Sequence, residues 1–378
     1  MPRPISVHIS ISAMRHNLAQ VRSNLQQQVT PLQRPLPRVW AVVKANAYGH
    51  GIAEAVQGFA SADGLAMLDI AEVVRCRELG WEKPLMLLEG FFDAQDLAII
   101  DHHRITVVIH TQHQITLLQQ HAQLMEHPLD VMVKINTGMN RLGFAPDQFA
   151  AAFTQLLSLQ QQGIIGTLGK MTHFARADDD PSITYQQLQC FNEYTAQLPG
   201  RISVCNSAGT LTATIQQHLS GQYEQWVRPG ICLYGASPFV GVSAQDLDLL
   251  PVQSLTAEII SIRHLAAHQG IGYGHSFISS EPMRIGVVTC GYADGYPRHA
   301  PSGTSMMVNG QRSQLVGRVS MDMLMVDLTH IDEAQIGTKV VLWGQGGPSV
   351  DEVAQASGTI GYELLCAVAQ RVPRVVTD

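Results

Sequence analysis

Few residues in this chain have the chemical potential to drive a reaction. Five lysines are present: Lys44, Lys83, Lys134, Lys170 and Lys339. Most lysines are solvated surface residues. Lys44 instead ends an apolar run in AVVKANAYGHG and precedes Gly49 and Gly51. A partly desolvated lysine has a lowered pKa and becomes a nucleophile towards carbonyls. By position alone, Lys44 serves equally well as a residue that caps a strand end. Other apolar runs also end in polar groups. One leads into Lys134 and then NTGMNRLGF with Arg141, and another ends in His173. Two more lead into Asn206–Ser207–Ala208–Gly209 and Arg228–Pro229–Gly230–Ile231. Small residues such as Ser207, Gly209 and Gly230 let backbone N–H groups approach phosphate oxygens. Taken singly, NSAG reads as a helix cap, RPG as a turn and NTG as a loop.

The elements that must position these groups follow a regular alternation. Eight apolar, strand-like runs precede residue 240: 39–46, 64–70, 84–90, 105–110, 129–138, 166–174, 202–209 and 226–235. Amphipathic stretches such as AEVVRCRELG and FAAAFTQLLSLQQ separate most of them. Continuous apolar strands alternating with amphipathic helices imply a parallel sheet covered by helices. Eight such units close naturally into a (β/α)8 TIM barrel, whose catalytic groups gather at the C-terminal rim of the strands. An open doubly wound sheet is the alternative on pattern alone. After about residue 245 the chain becomes rich in Val, Thr, Gly and Ser, with short strands and the turn NGQ at 309–311. The expected class is therefore α/β: an N-terminal barrel over 1–243 and a C-terminal mostly-β domain over 244–378.

Composition excludes several classes. The chain has 378 residues, enough for two domains at ~150 residues each. Charged residues make up 15% against 46% hydrophobic, a balance that suits a packed core rather than disorder. A net charge of -7 gives no reason to expect nucleic acid or an anionic membrane as partner. No stretch approaches the ~20 apolar residues of a membrane span, and the first residues lack the apolar run of a signal peptide. The six cysteines form no CxxC pair and read as reduced thiols in a cytoplasmic protein. The close histidine pairs, His102 with His103 and His110 with His113, read as solvated helix residues, and no metal site is expected.

The segments AVVKANAYGHG, KINTGMNRLGF, MTHFARADD, NSAGTL, VRPGICLYGASP, GYGHSF, GYADGYPR, GRVSMDM and TIGYELL occur in this order along the chain. In these segments the chain resembles the alanine racemases over essentially its full length. The resemblance implies a fold-type III pyridoxal 5'-phosphate enzyme. It would work as a head-to-tail homodimer with the active site shared across the interface, and interconvert L- and D-alanine to supply D-alanine for the cell wall.

The resemblance also implies roles. Lys44 would bind the cofactor's aldehyde and act as one of two catalytic bases. Tyr48, Ser207, the backbone of Gly230 and Ile231, and Tyr362 would hold its phosphate, with Asn206 beside them. Arg228 would meet the pyridine nitrogen and Arg141 the phenolic oxygen. Tyr273 from the partner subunit would be the second base, tuned by His173. Tyr292 and Met321 from the partner would complete the substrate pocket. Lys134 is expected to be carbamylated, as the equivalent lysine is in many family members, so that it turns from a cation beside Arg141 into an anionic acceptor.

These residue types are coherent with racemisation. A base is needed on each face of a planar carbanion, and one lysine with one tyrosine suffices. An arginine at the pyridine nitrogen does not give up its proton, which restrains electron withdrawal into the ring and favours return of the proton to Cα. GIGYGH is not a dinucleotide fingerprint, because it lacks the GxGxxG spacing and a βαβ context. Two positions depart from the family pattern. Ser203 stands where several relatives have a histidine supporting the pyridine-binding arginine, so Arg228 needs other support. Asn136 stands where many have aspartate. Alternative readings are a broader-specificity amino-acid racemase and a non-catalytic pyridoxal-phosphate-binding protein. The latter family lacks a β domain such as residues 244–378.

Overall fold

A computed structural model describes residues 3–378. The chain opens with strand β1 (Ile5–Ser10) and the helix Ile11–Val29. Ser10 caps that helix by accepting the Ala13 N–H at 3.1 Å. Eight short strands follow: β2 (Arg38–Val42), β3 (Gly64–Met67), β4 (Leu85–Leu87), β5 (Ile105–Ile109), β6 (Leu129–Lys134), β7 (Ile165–Met171), β8 (Ile202–Ser203) and β9 (Trp226–Val227). They pair in parallel from β2 to β8, and β2 also pairs with β9. The seam between β8 and β9 is held by a parallel bridge from Ile202 to Gln225. The Ile202 N–H bond to Glu224 O and the Arg228 N–H bond to Cys205 O, each 2.9 Å, reinforce it. The sheet is thus a barrel, not the open sheet weighed as its alternative.

Helices cover the outside. In Pro146–Gln161 the buried residues are Phe149, Ala152, Phe153, Leu156 and Leu159. Their spacing of three and four puts one apolar stripe on the sheet. Every residue of β3, β4 and β5 is buried, which is why these strands read as continuous apolar runs.

The second unit contains β10 (Gln253–Leu265), β11 (Gly270–Ile271), β12 (Phe277–Ile278), β13 (Met283–Val288), β14 (Ser305–Val308), β15 (Gln311–Gln314), β16 (Leu324–Asp327), β17 (Lys339–Trp343) and β18 (Arg374–Thr377). β14 and β15 form a hairpin whose turn residues Asn309 and Gly310 have φ of 49° and 76°. That is the left-handed geometry for which Asn-Gly is favoured. The long β10 pairs with β1 and β17 along its first half and with β13 along its second, across an irregularity near Ile259.

β1 corrects the sequence reading. Residues 5–10 fall in the stretch assigned to the barrel, yet they lie between β10 and β18 in the second sheet. Both chain ends are therefore tied into the β unit. The strand runs were also read too long. β2 stops at Val42, β7 at Met171, β8 at Ser203 and β9 at Val227, because the polar ends of these runs turn into loops and short helices at the rim. Among the described residues, no helix is long and apolar enough to cross a membrane.

Candidate active site

Lys44 opens a turn instead of ending a strand. Ala45, Asn46, Ala47 and Tyr48 all have positive φ, between 52° and 55°. Non-glycine residues pay about 1–2 kcal/mol each for left-handed helical backbone, so the surroundings must hold this segment. Glu72 Oε1 accepts the Asn46 N–H at 2.5 Å, and Asn46 Oδ1 accepts the Ile52 N–H at 3.1 Å. His50 is fully buried, stacked on Tyr234, with Nδ1 2.9 Å from Ala47 O and 3.0 Å from Tyr48 O. Burial pushes its pKa down to about 4, so it is a neutral donor here. Arg374, the first residue of β18, donates to His50 O at 2.5 Å and to Gly49 O at 2.9 Å. Lys44 is half-buried, and its ammonium lies 5.8 Å from the Tyr48 ring centroid. Burial first, and then the positive charge of Arg141, lower its pKa.

The polar strand ends gather around this lysine. Lys134, at the end of β6, is only 6% exposed. Burial, followed by Arg228 and Arg141, brings its pKa down to about 8. His173, beyond β7, is driven well below its ordinary value by burial and then by Arg228, Lys134, Arg141 and Lys44. Glu89 is the one carboxylate among the groups that act on Lys44 and Lys134. The rim is thus a partly desolvated cluster of cations with too little negative charge of its own.

Arg228 is buried and firmly held. Nη1 donates to Ser203 Oγ at 2.5 Å, and Nη2 donates to Thr172 O at 2.6 Å. Ser203 Oγ in turn donates to Trp226 O at 2.8 Å. The position that departs from the family pattern therefore supplies the support that Arg228 needs. Nη2 also lies 3.4 Å from His173 Nδ1. Burial lowers the arginine only to about 10, so it remains protonated at neutral pH. Asn136, the other departure, closes its own loop. Its Oδ1 accepts the N–H groups of Gly138 at 3.1 Å and Asn140 at 3.0 Å. Arg141 is exposed on that loop.

Beside the cations lies a small polar cradle. Ser207 Oγ accepts the Gly230 N–H at 2.8 Å. Asn206 caps the turn Ser207–Leu211 through a 2.9 Å bond from Gly209 N–H. A Cβ on Gly230 would sit 2.4 Å from the Tyr48 hydroxyl, so only glycine leaves room for this hydroxyl beside the backbone at 230. The ring centroids of Tyr48 and Tyr362 are 6.0 Å apart. Burial raises both phenols, more than any neighbour does, so both stay protonated as hydroxyl donors. Hydroxyl donors, a bare backbone and surplus positive charge suit a phosphorylated anion of modest size.

Three of the expected site residues lie apart from this cluster. Tyr273 is 71% exposed in a short turn after β11, Tyr292 is 40% exposed after β13, and Met321 is 54% exposed before β16. Among the described residues, no hydrogen bond joins Tyr273 to His173 within one chain. One histidine also corrects its sequence reading. His110 is not a solvated helix residue. It follows β5 and is half-buried, with Nε2 3.1 Å from Glu89 O and its Nδ1 buried without a partner.

Comparison with known proteins matches this arrangement. The family model described as "Alanine racemase, N-terminal domain" matches residues 9–238, and "Alanine racemase, C-terminal domain" matches residues 252–376. The chain belongs to the alanine racemase family. It is 55% identical over 374 residues to the alanine racemase of Bordetella petrii, covering 99% of each chain. It is 52% identical to that of Bordetella avium, again covering 99% of each. The crystal structure of the biosynthetic alanine racemase from Pseudomonas aeruginosa superposes with a TM-score of 0.90 at 42% identity, covering 100% of both chains. The alanine racemase of Acinetobacter baumannii gives 0.89 at 37% identity, covering 99% of this chain and 100% of that one. In this chain the segment AVVKANAYGHG is thus more than a lysine motif, since its His50 and Asn46 hold the strained turn. Glu72, Thr172 and Arg374 were missed by the sequence reading. Glu72 and Arg374 act on backbone far away in sequence, and Thr172 acts through its carbonyl, which no residue type reveals.

Proposed function

We propose that this chain racemises alanine through pyridoxal 5'-phosphate held at the barrel rim, supplying D-alanine for peptidoglycan. The observation that carries the reading is the surplus of buried or half-buried positive charge around Lys44, set beside a phosphate-sized cradle. Tyr48, Ser207, Gly230, Ile231 and Tyr362 would hold the phosphate, with Asn206 fixing the backbone of Ser207 and Gly209. Arg228 would meet the pyridine nitrogen, Arg141 the phenolic oxygen and the substrate, and Lys44 the aldehyde carbon. When bound, the cofactor supplies an electron sink conjugated with the substrate's Cα.

The chain's own groups then move one proton. Lys44 Nζ takes or returns it on one face of Cα, helped by a lowered pKa that leaves more free amine. The phenol of Tyr273 from a second subunit serves the opposite face. His173 is neutral, and with Nδ1 turned to Arg228 it keeps an Nε2–H free to orient that phenol. Arg228 keeps its proton, so electron density returns towards Cα. Tyr292 and Met321 of the same second subunit close the pocket around a small side chain.

Three further points belong to this reading. Functional division falls at residues 243 and 244, with strand 5–10 lent to the second domain. The working unit is a homodimer in the cytoplasm, a location consistent with six unpaired cysteines. Lys134 is carbamylated, because an amine lowered to about 8 offers the neutral form that carbon dioxide needs. Among the described residues, Lys134 Nζ has no hydrogen-bond acceptor, so a carbamate would give Arg141 the anion that Asn136 does not supply. The test is enantiomer analysis of purified protein incubated with a panel of single L-amino acids. D-alanine alone is expected. Racemisation across the panel points to a broader-specificity racemase. Lysine-bound cofactor with no product points to a binding protein and overturns the proposal.

A further inference from the structure

Asp294 carries a buried charge that the mechanism above does not use. It closes the turn Tyr292–Asp294 and is 0% exposed. Its Oδ1 accepts from Arg3 Nη1 at 2.9 Å and from Arg371 Nε at 2.8 Å, and its Oδ2 accepts the Gly291 N–H at 3.0 Å. The same two arginines reach a second aspartate. Arg3 Nη2 donates to Asp322 O at 2.5 Å, and Arg371 Nη2 donates to Asp322 Oδ1 at 2.6 Å. Two arginines, one from each end of the chain, thus bridge two aspartates on two different loops.

Those loops carry Tyr292 and Met321. They also touch backbone to backbone. The Tyr292 N–H donates to Ser320 O at 3.0 Å, and the Ala293 N–H donates to Met321 O at 2.9 Å. A Cβ on Gly291 would lie 2.3 Å from Met321 O. Tyr292 and Met321 are exposed, while the group that fixes their backbones is buried. Two exposed side chains gain a defined position only if something rigid holds their backbone. A buried carboxylate with two guanidinium partners is rigid, because it can leave neither its place nor both partners without becoming an uncompensated buried charge.

We propose that Asp294, clamped by Arg3 and Arg371, is a positioning residue that sets the pocket wall formed by Tyr292 and Met321 for the partner subunit's active site. This rests on the reading that those two side chains complete that pocket. Asp294 touches neither substrate nor cofactor, so it acts across the dimer through the two loops.

Heterodimers purified through two different tags test it. In one arrangement Lys44→Ala sits in one subunit and Asp294→Asn in the other. The only working barrel then faces an intact clamp, and KM and the preference for L-alanine over L-serine should match wild type. In the second arrangement both substitutions share one subunit beside a wild-type partner. The only working barrel now faces the altered clamp. KM for L-alanine should rise about tenfold, as a displaced wall loses contact with the bound substrate. The preference over L-serine should fall, with the lysine-bound cofactor's absorbance unchanged. Equal KM and selectivity in both arrangements would overturn the proposal and leave Asp294 a structural residue of its own chain. Arg371→Lys keeps the charge but cannot span both aspartates. It takes the place of Asp294→Asn if that variant does not assemble, judged by the same outcomes. Met321→Ala in the second arrangement separates the two claims. A selectivity shift there and none with the clamp variants overturns the clamp alone. No shift with Met321→Ala overturns the pocket reading itself.

Discussion

The barrel rim and the exposed face of the β domain treat their polar groups in opposite ways. At the rim, Lys134, His173 and Arg228 are desolvated and pushed towards their neutral forms, and each touches or repels another. On the β domain, Tyr273, Tyr292 and Met321 stand in solvent, with Tyr273 in a turn whose glycines Gly272 and Gly274 both have positive φ. One region is prearranged and short of an anion. The other presents side chains that have nothing to act on within their own chain. On the dimer reading proposed above, the difference divides the proton-transfer site into a half that tunes pKa values by burial and a half that a second subunit would cover.

The strongest test removes the centre of the prearranged half. Lys44→Ala should take racemisation to background and abolish the visible absorbance of lysine-bound cofactor. Borohydride reduction that fixes the cofactor to another lysine would overturn the assignment. Tyr273→Phe probes the exposed half. It should retain cofactor absorbance yet lose about 10²–10⁴-fold in rate, the usual worth of a general base. Exchange of the α-proton into solvent should suffer more from L-alanine than from D-alanine. Equal retention from both enantiomers would refute the two-base scheme. Mixed dimers of the two variants should regain one working site per heterodimer. If they stay inactive despite demonstrated subunit exchange, the split between subunits is wrong.

Two smaller effects sharpen the account of the rim. Lys134→Ala should lower kcat/KM by about tenfold to a hundredfold, the scale of one charged hydrogen bond. Short carboxylic acids should restore part of it. Labelled bicarbonate should give a carbamate carbon signal in the parent protein that the variant lacks. Because carbon dioxide reacts with the neutral amine, and burial lowers Lys134 from 10.5 to about 8, that signal should grow as pH rises through about 8 and fade below it. Full activity in Lys134→Ala without any such signal would sink the idea. Ser203→Ala should have the smallest effect. It removes one of the acceptors of Arg228 but leaves Thr172 O. A loss of about 1 kcal/mol corresponds to a few-fold in kcat/KM. A loss as large as that of Lys134→Ala would mean that Ser203 alone orients the arginine.

Much of this was legible in residue order. Eight apolar runs specify a barrel because a strand buried on both faces tolerates few polar residues. Lys44, Lys134, His173, Ser207 and Arg228 could be placed on one rim because they end those runs. The Asn309–Gly310 turn was legible because few residue pairs accept its backbone. What tertiary structure decided is of another kind. Only packing fixes Ala45–Tyr48 as a left-handed turn, since His50 within the segment is joined by bonds from Glu72 and Arg374, which come from two distant places in the chain. Only packing gives β1 to the second sheet, where β10 and β18 flank it on both sides. Whether a lysine stays charged is likewise not written in its neighbours in sequence. Lys134 and Lys339 both lie at strand ends, and only Lys134 is buried against two guanidinium groups. Residue types determine which groups are available and which elements carry them. Burial and charge proximity are sums over distant residues, and they exist only once the chain is folded.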